Sequence, residues 1–148
     1  MAHIIEALLQ KYDLWRHRRA IARCLALNRR GEARSDGLTL VSVGHRLEIR
    51  WRARGIHPWD KHLPEEERAA AFVEQSMLDT EAALFRLFQA LPQVHVLDFK
   101  VLEPQSDRVI IEGSVSRPNL SDPEAARNLS IRMRLKRLGI REHLAGCT

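Results

Sequence analysis

Arg46-Leu47-Glu48-Ile49-Arg50-Trp51-Arg52-Ala53-Arg54 alternates apolar and charged residues without a break. In an extended strand successive side chains point to opposite faces, so this stretch presents one apolar face and one mostly cationic face. A strand of that kind belongs to a sheet packed on a core on one side and open to water on the other. Leu129-Ser130-Ile131-Arg132-Met133-Arg134-Leu135-Lys136 alternates in the same way and reads as a second such strand. These residues also fit a helix, with Leu129 facing Met133 and Ile131 facing Leu135. The unbroken alternation favours the strand.

Outward from residues 46–54, residues 38–43 read as a hairpin partner across Gly44-His45. After the strand comes the loop Gly55-Ile56-His57-Pro58-Trp59-Asp60-Lys61-His62. Pro64 then opens a long helix over 64–91, with Glu65, Glu66 and Glu67 at the positive end of its dipole and Leu91-Pro92 as its stop. Residues 94–103 and 108–117 form a second hairpin around Pro104-Gln105-Ser106-Asp107. Ser121-Asp122-Pro123-Glu124 has the spacing of a capping box, which predicts a short helix. Residues 3–28 read as a helix, because Ile5, Leu8, Leu9, Tyr12 and Trp15 recur at helical spacing, although after Arg19 the residues Arg23, Leu25 and Leu27 also fit a short extended piece.

The expected architecture is a single α+β domain over 1–148, with a mostly antiparallel sheet of four to five strands and a long helix packed on one face. The element order is α-β-β-α-β-β-(short α)-β. Without its first helix and strand this is the order of a ferredoxin-like sandwich. The predicted core takes Leu8 and Tyr12 from the first helix and Val73, Met77, Leu84 and Phe88 from the long one. The strands add Leu47, Ile49, Trp51, Leu97, Phe99, Val101, Val109, Ile111, Val115, Ile131, Met133 and Leu135. Residues 139–148 are expected to be a loose tail.

The chain has 24 Lys/Arg against 19 Asp/Glu, a net charge of +5. Residues 1–35 hold eight cations against Glu6, Asp13 and Glu32, so the excess lies in the basic N-terminal segment 1–30 and the residues just after it. No apolar run approaches the ~20 residues of a membrane span, so no membrane partner is expected. Residues 1–6 lack a signal-peptide pattern, and Cys24 and Cys147 suggest no disulfide framework, so a reducing cytoplasm is the expected location.

Three sets of residues could carry function. Arg16, Arg18, Arg19 and Arg23 form the densest basic cluster, suited to phosphate or an acidic partner. Arg50, Arg52, Arg54, Arg132 and Arg134 would place further guanidinium groups on the open sheet face, alongside Arg46, Lys136, Glu48, Asp98, Lys100 and Glu112. Trp51 and Phe99 fall in the inward register, so that face lacks the aromatics that stack single-stranded bases. His57, Asp60 and His62 are residue types that ligate zinc or iron, at a spacing that also suits a structured turn with Trp59 over the core. Asp98-Phe99-Lys100 resembles the Asp/Glu-x-Lys element of metal-dependent nucleases over three residues, with Glu112 on the partner strand.

No phosphate loop, dinucleotide fingerprint or nucleophile elbow is present, and no cofactor is implied. The leading expectation is a non-catalytic binding or homo-oligomeric assembly module, with self-association through the N-terminal helix and an edge-like strand. Nucleic-acid association through the basic N-terminal segment is the first alternative. A metal-dependent hydrolase is the second.

Overall fold

A computed structural model describes residues 2, 4–5, 18–25, 39–42, 45–56, 58–117 and 128–144, with the side chains of 39–42 outside the description. Leu8, Tyr12, Arg16, the Gly44 half of the first turn, His57 and the predicted short helix at 121–124 fall outside the described residues.

Residues 2, 4–5 and 18–25 are helical, and 18–25 is termed α1. Then follow β1 (Thr39–Ser42), β2 (Arg46–Arg52), a 3-10 turn at Pro58–His62, α2 (Glu65–Ala90) and β3 (Val96–Leu102). β4 (Val109–Ser116), α3 (Ile131–Arg137) and β5 (Arg141–Glu142) complete the order. The five strands lie side by side in the order of the sequence. β1–β2, β3–β4 and β4–β5 are antiparallel, whereas β2 and β3 are parallel neighbours over seven residue pairs.

The fold is therefore α+β with a mixed sheet. The parallel pair follows from α2: a 26-residue helix returns the chain to the end of the sheet where β2 began, which no tight turn can do. The same pairing overturns the ferredoxin-like expectation. A split βαβ unit inserts a strand between its parallel partners, and here β2 bonds directly to β3.

α2 forms for the reasons its sequence carries. Pro64 has the extended ψ of an N-cap residue, and three glutamates fill the first turn. Val73, Met77, Thr80, Ala83, Leu84, Leu87 and Phe88 repeat every three or four residues and are buried. They share one core with Leu47, Ile49 and Trp51 of β2, Leu97, Phe99 and Val101 of β3, and Ile111 and Val115 of β4. Ile21 and Cys24 of α1 and Leu135 of α3 join it, so all three helices serve the same sheet face. Trp51 stacks on Phe99 at 5.5 Å inside this core.

The second alternating stretch is a helix, not a strand. Ser130 caps α3, its hydroxyl oxygen accepting from the Met133 amide at 3.3 Å. Gly139, at φ 79°, ends it in a Schellman motif. The Gly139 amide donates to Lys136 O at 3.0 Å and the Ile140 amide to Leu135 O at 3.0 Å. Ile131 and Leu135 turn inward on successive turns, and Met133, expected in the core, is 53% exposed. The segment after Gly139, expected to be loose, is anchored over 140–143. Ile140 is buried, β5 pairs with β4, and the His143 amide donates to Ile110 O at 2.7 Å. Gly113 makes room for this return, since a Cβ there would meet the Ile140 Cα at 3.2 Å.

Candidate functional site

Alternation puts Arg46, Glu48, Arg50 and Arg52 of β2 on the outer sheet face, in register with Val96, Asp98, Lys100 and Leu102 of β3. Glu112 and Ser114 of β4 and Arg141 of β5 extend the same face, opposite Lys100, Asp98 and Glu112 respectively. Among the described residues no helix covers it. The middle of the face is a shallow groove of about 710 Å³, with charged residues of both signs along its walls.

Most of these charges are already committed. Arg46 forks its guanidinium onto the Asp98 carboxylate, with Nη2–Oδ1 at 2.9 Å. Partial burial pushes the Asp98 carboxyl upward. Hydrogen bonds from Arg46 and Ser114, with the charge of Arg46, outweigh burial and hold it below its ordinary 3.8. Glu112 lies 3.6 Å from Arg141 Nη2 and 3.5 Å from His143 Nε2. Arg50 and Lys100 differ. They are direct partners on the parallel strands, at the centre of the groove, and neither has an ion-pair partner among the described residues. Two like charges placed opposite each other across strands repel. An anion seated between them relieves that repulsion and gains two charge-assisted hydrogen bonds.

The remaining arginines of the expected platform have structural work. Arg52 donates to Glu103 O at 2.9 Å, Ser106 O at 2.6 Å and Asp107 Oδ1 at 2.8 Å, which pins the β3–β4 turn. Arg54, beyond the end of β2, pairs with Asp79 of α2 at 2.7 Å. Arg132 and Arg134 sit on α3 and not on the sheet, because that stretch is helical. Arg132 pairs with Glu142 at 2.8 Å, and Arg134 grips Glu81 of α2 at 2.7 and 2.9 Å. Arg18, Arg19 and Arg23 are exposed on α1, as a solvated basic helix requires.

Asp60 and His62 lie in the 3-10 turn, where the Asp60 carbonyl accepts from the Leu63 amide at 3.1 Å. Trp59, expected to cap the core, is 80% exposed. Among the described residues no three His, Cys, Asp or Glu side chains are grouped to hold a metal ion. Asp98, Lys100 and Glu112 do share the groove, yet Asp98 is bound to Arg46 and Glu112 faces Arg141 and His143.

Sequence reasoning placed Lys100 on this face but did not pair it with Arg50. The signal was present in principle, since both sit in the outward register of their strands. The missing fact was that β2 and β3 are neighbours.

The chain matches no protein-family model, no curated protein and no solved structure. No described helix is long and apolar enough to cross a membrane.

Proposed function

We propose that this chain is a non-catalytic binding module that receives an acidic segment of a partner protein on its open sheet face, with Arg50 and Lys100 as the anchoring cations. The observation that carries the reading is their juxtaposition, with no ion pair to either among the described residues, in a groove of about 710 Å³. The flanking charges define the ligand. Glu48 and Glu112 stand on the same face and repel a continuous run of phosphates, whereas a single carboxylate fits between the two cations. Trp51 and Phe99 are buried, at 4% and 2% exposure, so they are not available to stack bases.

The test uses a short peptide with one glutamate among neutral residues, and oligothymidylate, with the full chain, by fluorescence anisotropy at low and high salt. Binding of the single-glutamate peptide that falls with salt, and falls again in Arg50→Gln and Lys100→Gln, supports the reading. Tighter binding of oligothymidylate, abolished by neutralising Arg18, Arg19 and Arg23, transfers the function to nucleic acid and the N-terminal segment.

The mixed signs of the face favour one second reading. A second copy turned about a two-fold axis can present its own Glu48 and Glu112 to these cations. Sedimentation equilibrium distinguishes it. A dimer that Arg50→Glu disrupts establishes self-association, and a monomer at high concentration ends it.

A further inference from the structure

The β2–α2–β3 unit has a second concavity, at the carboxyl ends of its two parallel strands. β2 and β3 finish in register at Arg52 and Leu102. Beyond them Ile56 and Lys61 from the chain after β2, Arg68 and Phe72 from the first turns of α2, and Glu103 and Pro104 from the chain after β3 line an open cleft of about 550 Å³. The volume lies in the range of small-molecule sites.

The cavity is chemically unbalanced. Ile56, Phe72 and Pro104 supply apolar wall, and Lys61 and Arg68 bring two cations. Neither cation has a salt-bridge partner among the described residues. The Nε of Arg68 is shut away from solvent and has no hydrogen-bond acceptor among the described residues. A buried donor without an acceptor is costly and uncommon in a folded protein. The single acid in the lining does not meet it. The Glu103 carboxylate accepts from Ser106 Oγ at 2.6 Å and lies 3.5 Å from Arg108 Nε. Glu65, Glu66 and Glu67 are exposed on α2 and are not part of the lining.

We infer that this cavity binds a small organic carboxylate. The carboxylate accepts from the Arg68 guanidinium, Lys61 adds a second positive charge, and an apolar body lies along Ile56, Phe72 and Pro104. The site is separate from the sheet groove and shares no lining residue with it.

Isothermal titration of the full chain with hexanoate, its neutral counterpart hexanamide and inorganic phosphate tests the inference. Hexanoate has eight non-hydrogen atoms and is expected to bind with a Kd of about 1 mM. Hexanamide lacks the charge and phosphate lacks the apolar body, so each should bind at least about tenfold more weakly. Arg68→Gln should weaken hexanoate by a similar factor while leaving hexanamide unchanged. Its unfolding temperature should not fall, because the guanidinium removed has no hydrogen bond or ion pair among the described residues to lose. Lys61→Gln alters only an exposed residue and is the second variant, with a several-fold loss of hexanoate expected. Equal binding of hexanoate and hexanamide overturns the inference, as does no heat from hexanoate at about 10 mM. Loss of hexanoate in Arg50→Gln but not in Arg68→Gln also overturns it, by assigning the anion to the sheet face.

Discussion

Arg117 closes a helix from which it is far removed in sequence. The last carbonyls of α2 have no intrahelical donors, and its final turn contains no basic residue. Arg117, just beyond β4, donates to Phe88 O at 2.9 Å, Leu91 O at 2.8 Å and Val94 O at 2.6 Å, and its guanidinium lies 4.9 Å over the Phe88 ring. It supplies both the hydrogen bonds and the positive charge that a helix C-terminus favours. Arg117→Ala should therefore destabilise the protein by about 3 kcal/mol in urea unfolding. Arg117→Lys should recover only part of that, because an ammonium lacks the planar fork. A loss within about 0.5 kcal/mol, ordinary for a surface substitution, would refute the role. Nothing local in the sequence marks this residue, since its partners lie 23 to 29 positions away.

Asp98 makes stability depend on pH at the same scale. Its folded carboxyl lies below the ordinary 3.8, where burial loses to Arg46 and Ser114. A depressed acid contributes stability that is present above its unfolded pKa and lost as pH falls through its folded value. Urea midpoints of the wild type and Asp98→Asn should thus differ at neutral pH and converge as pH drops below about 4. A gap that stays constant down to strong acid would remove Asp98 as the source.

At the scale of elements, α3 shows where pattern reading fails. Four apolar and four polar residues alternate over 129–136, yet periods of 2 and 3.6 coincide often enough in eight residues to leave the choice open. The caps decide it: Ser130 at one end, and Gly139 with Ile140 at the other. Both were legible in the sequence. Gly139 in particular is not the start of a loose tail but the left-handed residue that folds Ile140 back onto the core. β2, β3 and α2 are legible because each is long and its pattern fits one period only, whereas β4 breaks its alternation at a bulge and buries Ile110 where the alternation predicts Val109. The difference between helix and strand can be measured. A strand would turn Ile131, Met133 and Leu135 to one face, whereas α3 buries Leu135 at 3% exposure and leaves Met133 outside. Leu135→Ala should cost about 3 kcal/mol and Met133→Ala no more than about 0.5 kcal/mol. Comparable losses at both positions would restore the strand.

At the scale of the whole molecule, stability is distributed by the order of the strands. β3 is bonded on both sides, to β2 over seven pairs and to β4 over seven more. Its inward residues Leu97, Phe99 and Val101 sit at the centre of the core. β1 has one neighbour and a bulge between Leu40 and Ser42, and β5 is two residues long. Short or irregular edges limit pairing with other chains, and they are also the parts that open first. This arrangement could not be read from the sequence, because the parallel β2–β3 contact joins residues some 50 positions apart. It also gives function its position. The neighbouring of β2 and β3 brings Arg50 beside Lys100 on the open face, and the shared carboxyl end of the same two strands frames the Arg68 cavity. Native-state hydrogen exchange should reveal the hierarchy. Amides of Leu97–Val101 should exchange only through global unfolding, with the steepest dependence on denaturant. Those of β1 and β5 should exchange faster, through local opening that denaturant scarcely affects. If β1 proved as protected as β3, the strand order would have to place it inside the sheet, and the pairing that positions both candidate sites would fall with it.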